Sequence, residues 1–243
     1  MRDNRDTLLH KGRRNLLVQQ LRESGRFEER VLKAIGAVPR HLFVEEGLED
    51  FAYKDTPVAI GAAQTISQPS TVALETQLLN FKPGDRILEI GTGCGYQSAV
   101  LFYLGAEVFS IERQAELFPT AVSNLEAAGY LFLDEELAAK TPTNINSGKF
   151  HLYLGDGYLG LPEKAPFDGI VVTCGAPHIP QKLLEQLKVG ARLVIPVDFE
   201  DDARGREKRQ MLKVVTRTEE ERYRSEDIGV ASFVPMLEGI NGK

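Results

Sequence analysis

The spacing of apolar residues predicts two helices and a long loop in the first third of the chain. Apolar positions recur at helical intervals over residues 13–36, with a break near Ser24 and Gly25, which indicates two amphipathic helices. Residues 51–69 show no period, and helical spacing returns over residues 70–80. Because a long loop that precedes a core is more often functional than idle, the loop is a candidate binding segment.

From residue 86 onward, short runs rich in β-forming residues alternate with helical patterns. The strands are predicted at residues 86–90, 107–111, 149–154, 169–173 and 192–197. The helices between them are predicted at residues 95–104, 114–128 and 180–187. This alternation is typical of right-handed crossovers, so we predict an α/β fold with a doubly wound, mostly parallel sheet.

The end of the chain departs from this alternation. Residues 211–218 and 229–235 read as strands with no obvious helix between them, so we expect them to finish the sheet in antiparallel fashion. Two further segments read as insertions. They are residues 131–148 and the charged residues 200–210, the latter an expected exposed hairpin tip or loop.

A length of 243 residues fits one domain with appendages better than two equal domains. We expect residues 1–80 to form N-terminal helices and a substrate loop, packed on a core of residues 81–243 that carries the C-terminal strands. The apolar fraction of 42% and the charged fraction of 26% are ordinary for a folded chain, which excludes disorder on compositional grounds.

Charge and residue usage narrow the possible partners. A net charge of −6 lacks the field expected of a protein that holds nucleic acid by its phosphates. The four histidines and two cysteines are scattered without ligand spacing, so we expect no metal. The N-terminus is charged where a signal peptide is apolar, and no apolar run approaches the length of a membrane span. We therefore expect a cytoplasmic monomer with no nucleic-acid or membrane partner.

The strand at residues 86–90 runs into a glycine-rich turn with glycines at positions 91, 93 and 95. Glycines let a backbone approach a ligand where side chains would clash. The crevice at the carboxyl end of the first strand is where open α/β sheets bind nucleotides. The turn alone is a weak indicator, because dinucleotide and mononucleotide sites share it.

Acidic residues at successive strand ends make the indication more specific. Glu89 sits just inside the strand, where a carboxylate would repel a pyrophosphate but suits a ligand with an ammonium and a sulfonium, as in S-adenosylmethionine. About 20 residues later, Glu112 is placed to accept two ribose hydroxyls. Asp156, in a Gly-Asp-Gly turn, could meet the adenine. Together these residues predict a methyl-donor site.

Two longer segments now resemble a known family. They are Ile-Gly-Ala-Ala-Gln-Thr-Ile-Ser-Gln-Pro at residues 60–69 and Leu-Glu-Ile-Gly-Thr-Gly-Cys-Gly-Tyr-Gln at residues 88–97. With Ala-Val-Pro-Arg at residues 37–40, they resemble the protein-L-isoaspartate (D-aspartate) O-methyltransferases. The resemblance covers about residues 15–198, and its specific part is the Gln-Thr-Ile-Ser segment. It implies a Rossmann-like class I S-adenosylmethionine-dependent methyltransferase fold.

Three features depart from the family pattern. Ala63 stands where a glycine is more frequent, which affects the local conformation of the loop. Met236 and Leu237 replace a Leu-Thr pair near the end, which affects the C-terminal contacts. Residues 131–148 lengthen a connection that is usually short, and we expect this insertion to decorate the surface.

The family methylates the α-carboxyl of L-isoaspartyl residues in peptides and proteins, and the ester then collapses to a succinimide without the enzyme. The substrate carboxylate has a pKa near 4 and is already a nucleophile at neutral pH, so no general base is needed. Catalysis is then mostly alignment of carboxylate and methyl group. Ser67 resembles the serine of the active site, which orients a reactant by hydrogen bonding and attacks nothing itself.

The resemblance also implies contacts for the cofactor S-adenosyl-L-methionine, its product S-adenosyl-L-homocysteine and the isoaspartyl peptide. Cofactor contacts are expected at Gln64, Thr65, Ile66, Glu89, Gly91, Thr92, Gly93, Glu112, Arg113, Asp156 and Gly157. Peptide contacts are expected at Ile60, Gly61, Thr65, Ser67, Val234 and Pro235.

The alternative function is a methyltransferase that acts on RNA or a small molecule. Nitrogen methylases often carry an Asn/Asp-Pro-Pro-aromatic run after the fourth strand, and residues 173–178 lack its aromatic residue. A nicotinamide oxidoreductase is disfavoured by the spacing of the glycine turn, and a non-catalytic relative by the largely intact loop. Cys94 and Cys174 follow strands predicted to be neighbours, so we expect both thiols at one sheet edge without a disulfide.

Overall fold

The computed structural model describes residues 6–131, 144–147, 149–199 and 209–242. Two N-terminal helices, α1 (Leu8–Glu23) and α2 (Glu29–Ala37), precede a 3₁₀ turn at Arg40–Phe43. They confirm the predicted break near residues 24 and 25. Helix α3 (Pro69–Leu79) begins at a proline in its first turn and ends at Asn80, which has a positive φ of 52°.

The loop between these helices contains a short hairpin that the sequence pattern did not predict. Strand β1 (Val58–Ala59) pairs in antiparallel fashion with β2 (Thr65–Ile66). Two-residue strands are too short to show a period, which explains the omission. The hairpin holds the Gln-Thr-Ile-Ser segment in a defined conformation.

The remaining elements alternate largely as predicted, although β5 was not predicted. The strands are β3 (Arg86–Ile90), β4 (Glu107–Glu112), β5 (Asn144–Ser147), β6 (Phe150–Leu154), β7 (Phe167–Val172), β8 (Leu187–Phe199), β9 (Arg209–Glu219) and β10 (Arg222–Ala231). The helices are α4 (Tyr96–Tyr103), α5 (Leu117–Ala127) and the short α6 (Gln181–Glu185), with a second 3₁₀ turn at Pro162–Lys164.

These strands form one sheet in the order β10-β9-β8-β7-β3-β4-β6-β5. Strands β8, β7, β3, β4 and β6 are parallel, whereas β5, β9 and β10 pair in antiparallel fashion. The predicted doubly wound sheet with antiparallel C-terminal strands is therefore confirmed. Because β3 lies between β4 and β7, the strand order reverses at β3, and the carboxyl ends of these three strands share one edge.

The last predicted strand is misplaced. Strand β10 occupies Arg222–Ala231, directly after a two-residue turn from β9, and the predicted residues 232–235 lie beyond it. Most of β10 is exposed at the sheet edge, so its residues are polar and show no apolar alternation. Val234 and Met236 instead exchange backbone hydrogen bonds with Gly175, where the Val234 carbonyl accepts and the Met236 N–H donates.

Apolar clusters cover both faces of the sheet. One joins the N-terminal helices, through residues such as Leu17 and Ile35, to Ile87 and Val171 of the sheet. The other includes Leu88 and packs beneath α6. Residues 1–80 thus share a core with the sheet where the structure describes them, while the proposed boundary at residues 80 and 81 stays a prediction.

Parts of the two predicted insertions lie outside the described residues. Within residues 131–148, the structure describes position 131 and the backbone of Asn144–Ser147, which forms the edge strand β5. Within residues 200–210 it describes positions 209 and 210, at the start of β9. Among the described residues, no helix is long and apolar enough to cross a membrane.

Candidate active site

A cleft opens at the carboxyl ends of β3, β4, β6 and β7. Its lining contains most of the predicted site residues. Those residues are Ile60, Gln64, Thr65, Gly91, Gly93, Glu112, Arg113, Gly157, Val234 and Pro235. The lining also contains Ile90, Ile111, Gln114, Thr173, Cys174, Met236 and Leu237.

The glycine turn forms the floor of this cleft. Gly91 has a φ of 97°, and a Cβ at this position would lie 2.5 Å from Thr173 Oγ1. The Thr173 hydroxyl donates to the carbonyl oxygens of Gly91, at 2.8 Å, and Ile90, at 3.0 Å. Only glycine fits here, because both the conformation and the space exclude a side chain.

Glu112 ends β4 with its carboxylate at the cleft wall. Gly93 N–H donates to Oε2 at 2.8 Å and Gln114 N–H donates to Oε1 at 2.7 Å. Burial raises the pKa of the Glu112 carboxyl, and the backbone N–H donors of Gln114 and Gly93 oppose that rise. Glu112 thereby ties the glycine turn to β4, and each oxygen keeps acceptor capacity for a ligand.

A smaller cavity beside the cleft is lined by the end of the Gln-Thr-Ile-Ser segment. Ile66, Ser67 and Thr92 line this space. Its lining shares Thr65, Gly91, Gly93 and Thr173 with the larger cleft, so the two spaces adjoin. The hairpin therefore brings Ser67 next to the glycine turn.

The loop turns sharply before it reaches Ser67. Gly61, Ala62 and Ala63 have positive φ values of 85°, 46° and 54°. Ala63 thus adopts a left-handed conformation that favours glycine, which explains why a glycine is more frequent at this position. Gly61 does not line either space, since a Cβ on it would face Glu45 and Leu117.

Glu89 does not line the cleft, which corrects the predicted contact with the cofactor. Its side chain is fully buried, and Oε2 accepts hydrogen bonds from the hydroxyls of Ser98 and Ser110. Successive side chains of a strand face opposite sides, and Ile90 takes the cleft position. Burial raises the pKa of the Glu89 carboxyl to about 7, against the lowering effect of the two hydroxyls.

Asp156 also lies outside the lining of the cleft. Its carboxylate accepts from the backbone N–H of Tyr158 at 2.9 Å and of Gly239 at 2.8 Å, so it anchors the C-terminal segment. The neighbouring Gly157 does line the cleft, and a Cβ on it would lie 2.3 Å from Ile90 Cγ2. The Gly-Asp-Gly turn thus contributes close backbone approach, whereas its carboxylate serves the protein itself.

The C-terminal segment at residues 234–242 forms one wall of the cleft. Arg113 donates to the carbonyl oxygens of Gly239 and Glu238, each at 3.1 Å. Asn241 donates to the Gln114 side chain at 2.6 Å. Sequence reasoning missed Gln114 and Thr173 as lining residues. Thr173 is the last residue of a predicted strand and Gln114 lies three residues after another, which could have indicated them.

The two cysteines lie at the same edge, as predicted. Strands β3 and β7 pair in parallel, Cys94 lines the smaller cavity and Cys174 lines the cleft. Both thiols are free. Burial raises the pKa of the Cys94 thiol to about 11 and of the Cys174 thiol to about 12, which disfavours the thiolate form of both.

One cluster with metal-ligating chemistry occurs among the described residues, away from the cleft lining. Asp6, His10 and His41 bring one possible ligand atom each within 4.8 Å of the others. Arg14 already binds both Asp6 oxygens, at 3.2 and 3.0 Å, and adds a positive charge beside them. His10 and His41 are 31 positions apart, so their spacing gave no sign of this contact.

A second buried carboxylate, Glu75 on α3, lies near Glu89. Glu75 is fully buried, and neither of its oxygens has a hydrogen-bond partner. Burial, reinforced by the charge of Glu89, raises the pKa of Glu75 well above its ordinary value. An ionised carboxylate in this position would be strongly unfavourable, so burial favours the protonated form of Glu75.

The sheet, its switch point at β3 and the cleft across the glycine turn define a nucleotide-binding α/β protein of the Rossmann-like class. Comparison with known proteins makes the assignment specific. The sequence pattern of the family described as Protein-L-isoaspartate(D-aspartate) O-methyltransferase (PCMT) matches residues 12–241.

Curated relatives extend over the same length. A protein-L-isoaspartate O-methyltransferase from Flavobacterium johnsoniae is 47% identical over 237 residues, which cover 98% of this chain and 100% of the relative. One from Salinibacter ruber is 43% identical over 246 residues, covering 98% of this chain and 96% of the relative. The chain therefore belongs to the protein-L-isoaspartate O-methyltransferase family.

Solved structures agree with this assignment. A protein-L-isoaspartate O-methyltransferase superimposes with a TM-score of 0.72 at 25% identity, covering 93% of this chain and 67% of its own. A second, described as the enzyme from Plasmodium falciparum in complex with S-adenosyl-L-homocysteine, gives a TM-score of 0.71 at 24% identity. It covers 94% of this chain and 98% of its own, and it supports the fold.

These comparisons confirm the predicted family and fold class. The predicted activity, enzyme class and cofactor are those of this family, so membership of the family confirms all three. The roles of individual residues stay predictions, as do the monomeric state and the absence of a nucleic-acid partner.

The buried state of Glu75 predicts a pH-dependent effect of Glu75→Gln on stability. The pKa of Glu75 is higher in the folded than in the unfolded protein. Its contribution to the free energy of unfolding is therefore largest below about pH 4.5 and falls as pH rises toward the folded pKa. Glutamine has no such loss. We expect the variant to gain free energy of unfolding over wild type by at most about 1.4 kcal/mol per pH unit in this window.

Urea unfolding of both proteins at pH 5, 6, 7 and 8 measures this difference. Glu126→Gln, at an exposed carboxylate on α5, is the matched control and should show no trend. A stability difference for Glu75→Gln that stays constant from pH 5 to pH 8 would show that Glu75 is already ionised in the folded protein.

Proposed function

We propose that this chain is a protein repair enzyme that transfers the methyl group of S-adenosyl-L-methionine to the α-carboxyl of L-isoaspartyl residues. The observation that carries the proposal is the junction between the two spaces. The cavity that holds Ser67 and the cleft of the glycine turn share Thr65, Gly91, Gly93 and Thr173. A carboxylate beside Ser67 and a methyl donor on the turn would meet there.

The residues of the cleft fit this cofactor. Glu112 offers two carboxylate oxygens to ribose hydroxyls, and Gly91 and Gly93 allow close approach of the nucleoside. Gly157 and Ile111 offer an apolar surface for the adenine. When bound, the cofactor supplies an electrophilic methyl group on its sulfonium. Glu89 acts indirectly, because its network with Ser110 continues to Thr92 of the turn at 2.6 Å.

The protein's own contribution is binding and orientation. The substrate carboxylate is ionised at neutral pH and needs no base. Ser67 directs that carboxylate by hydrogen bonding and forms no covalent bond. Ile60, Val234 and Pro235 flank the cleft and are proposed to contact the peptide. Aligning two bound reactants in this way converts a bimolecular step into an effectively unimolecular one.

The activity predicts a difference between two peptides of identical composition. Radiolabelled methyl transfer to an isoaspartyl peptide should give a base-labile product, and the normal aspartyl peptide should remain nearly unlabelled. The two differ in which carboxyl lies in the main chain, so discrimination comes from geometry. Equal labelling of both peptides would contradict the proposal, and labelling of RNA instead would favour the alternative methyltransferase.

Glu112→Ala should weaken binding of S-adenosyl-L-homocysteine at least about tenfold, since charge-assisted hydrogen bonds contribute about 1.5–3 kcal/mol each. Glu112→Gln should fall between, because one acceptor remains. Calorimetry measures the Kd. Glu107→Ala, at the opposite end of the same strand, is the control and should leave the Kd unchanged. An unchanged Kd for Glu112→Ala would remove this residue from the cofactor site.

Ser67→Ala should lower kcat by about 10²-fold through lost orientation and leave the Kd for S-adenosyl-L-homocysteine within about threefold. Ser67→Thr keeps a hydroxyl and should retain part of the rate. Ser70→Ala, three residues along the chain, is the matched control. Steady-state kinetics measure kcat. A fully active Ser67→Ala enzyme, or a methylated Ser67 detected by mass spectrometry during turnover, would refute the positioning role.

A further inference from the structure

Arg40, at the start of the 3₁₀ turn, links three segments around the Ser67 loop. The side chain is completely buried. Its Nε donates to the carbonyl oxygen of Ala52 at 2.8 Å, and its Nη2 donates to the carbonyl oxygen of Ser67 at 2.8 Å. The guanidinium lies over the ring of Tyr96, 4.7 Å from its centroid. Arg40 therefore fixes the peptide of the proposed orienting serine.

The charge of Arg40 has no counter-charge in contact with it. Among the residues that the structure describes, no carboxylate lies within ion-pair distance of its guanidinium. The negative charge of Asp55 has only a longer-range electrostatic effect on Arg40. The Asp55 carboxylate instead accepts a hydrogen bond from Ser70 N–H at 2.8 Å. Arginine retains its proton even when buried, so a positive charge persists behind Ser67.

One nitrogen of this guanidinium and one neighbouring hydroxyl have no hydrogen-bond partner. Arg40 Nη1 and the Tyr96 hydroxyl are both buried with no hydrogen bond. Tyr96 lines the cavity that contains Ser67. Burying a guanidinium that has no counter-charge and one unpartnered nitrogen is unfavourable, which indicates that its charge is complemented when the site is filled.

The proposed reaction changes the charge of the group beside Ser67. The substrate is a carboxylate with one negative charge, and the product is a neutral methyl ester. A fixed positive charge near this position attracts the substrate more strongly than the product. A direct ion pair between Arg40 and the substrate carboxylate would make that carboxylate a poorer nucleophile. Two donors of Arg40 bind backbone carbonyl oxygens instead.

We propose that Arg40 is a positioning and specificity residue: it fixes the Ser67 peptide, and its uncompensated charge makes the site prefer an anionic isoaspartyl group over a neutral one. The preference favours release of the ester product after transfer. This inference rests on the proposed function. It adds a source of discrimination that the loop and the glycine turn alone do not supply.

The test compares two peptides on enzyme loaded with S-adenosyl-L-homocysteine. One carries an isoaspartyl residue, and its twin carries a neutral α-carboxamide in place of the α-carboxylate. Calorimetry gives a Kd for each, and wild type should bind the isoaspartyl peptide at least about tenfold more tightly. Arg40→Gln should lose most of this preference while the Kd of the carboxamide peptide stays within about threefold.

Arg40→Lys separates charge from geometry. Lysine keeps the charge but cannot hold two carbonyls as a planar fork does, so the preference for the anion should persist while kcat falls. Arg22→Gln, at a surface arginine of α1, is the control and should change neither quantity. If Arg40→Gln does not fold, Arg40→Lys tests the proposal through its preference between the two peptides and its kcat.

Three outcomes would overturn the role of Arg40. They are an Arg40→Gln enzyme with the wild-type preference, equal weakening of both peptides by that substitution, and an Arg40→Lys enzyme with unchanged kcat. Failure of the proposed function is a different result, because the wild-type protein itself would then leave the isoaspartyl peptide unmethylated.

Discussion

The cleft depends on the close contact between Gly91 and Thr173. Thr173 donates its hydroxyl to the carbonyls that end β3, and Gly91 leaves the space that a Cβ would fill. This contact joins the ends of two neighbouring parallel strands at the switch point of the sheet. Glu112 makes the corresponding connection to β4 through Gly93 N–H. The turn is thereby held on both sides, which preorganises the floor of the cleft.

Three charged residues outside the lining of the cleft are fully buried. Glu75 and Glu89 are fully buried, and the network from Glu89 reaches Thr92 through the hydroxyl of Ser110. Arg40 is equally buried on the side of Ser67. Burying such groups is unfavourable unless they are hydrogen-bonded, and Glu89, through Ser110, and Arg40 each bind groups of the two halves of the site. The binding surfaces are held by these hydrogen bonds as well as by apolar packing.

The fold was largely predictable because its central strands are apolar runs with clear boundaries. Strand β3 was predicted residue for residue, since Pro83 and Gly84 precede it and Gly91 follows it. Strand β10 was misplaced because an edge strand exposed to solvent carries polar residues and loses the apolar signal. The hairpin β1–β2 was missed because two-residue strands have no period, although the loop that contains it was predicted to be functional.

The sequence by itself determined the order of most elements, the glycine turn, the loop that contains Ser67 and the family. These follow from local spacing and from residues whose types are restricted by backbone conformation. Only the tertiary structure decided where the carboxylates point. Glu112 reaches the cleft wall, whereas Glu89 turns into the sheet–helix interface and Asp156 binds the C-terminal segment. The physical reason is that a side chain's surroundings depend on which face of its strand is covered and on segments distant in sequence, and local spacing contains neither.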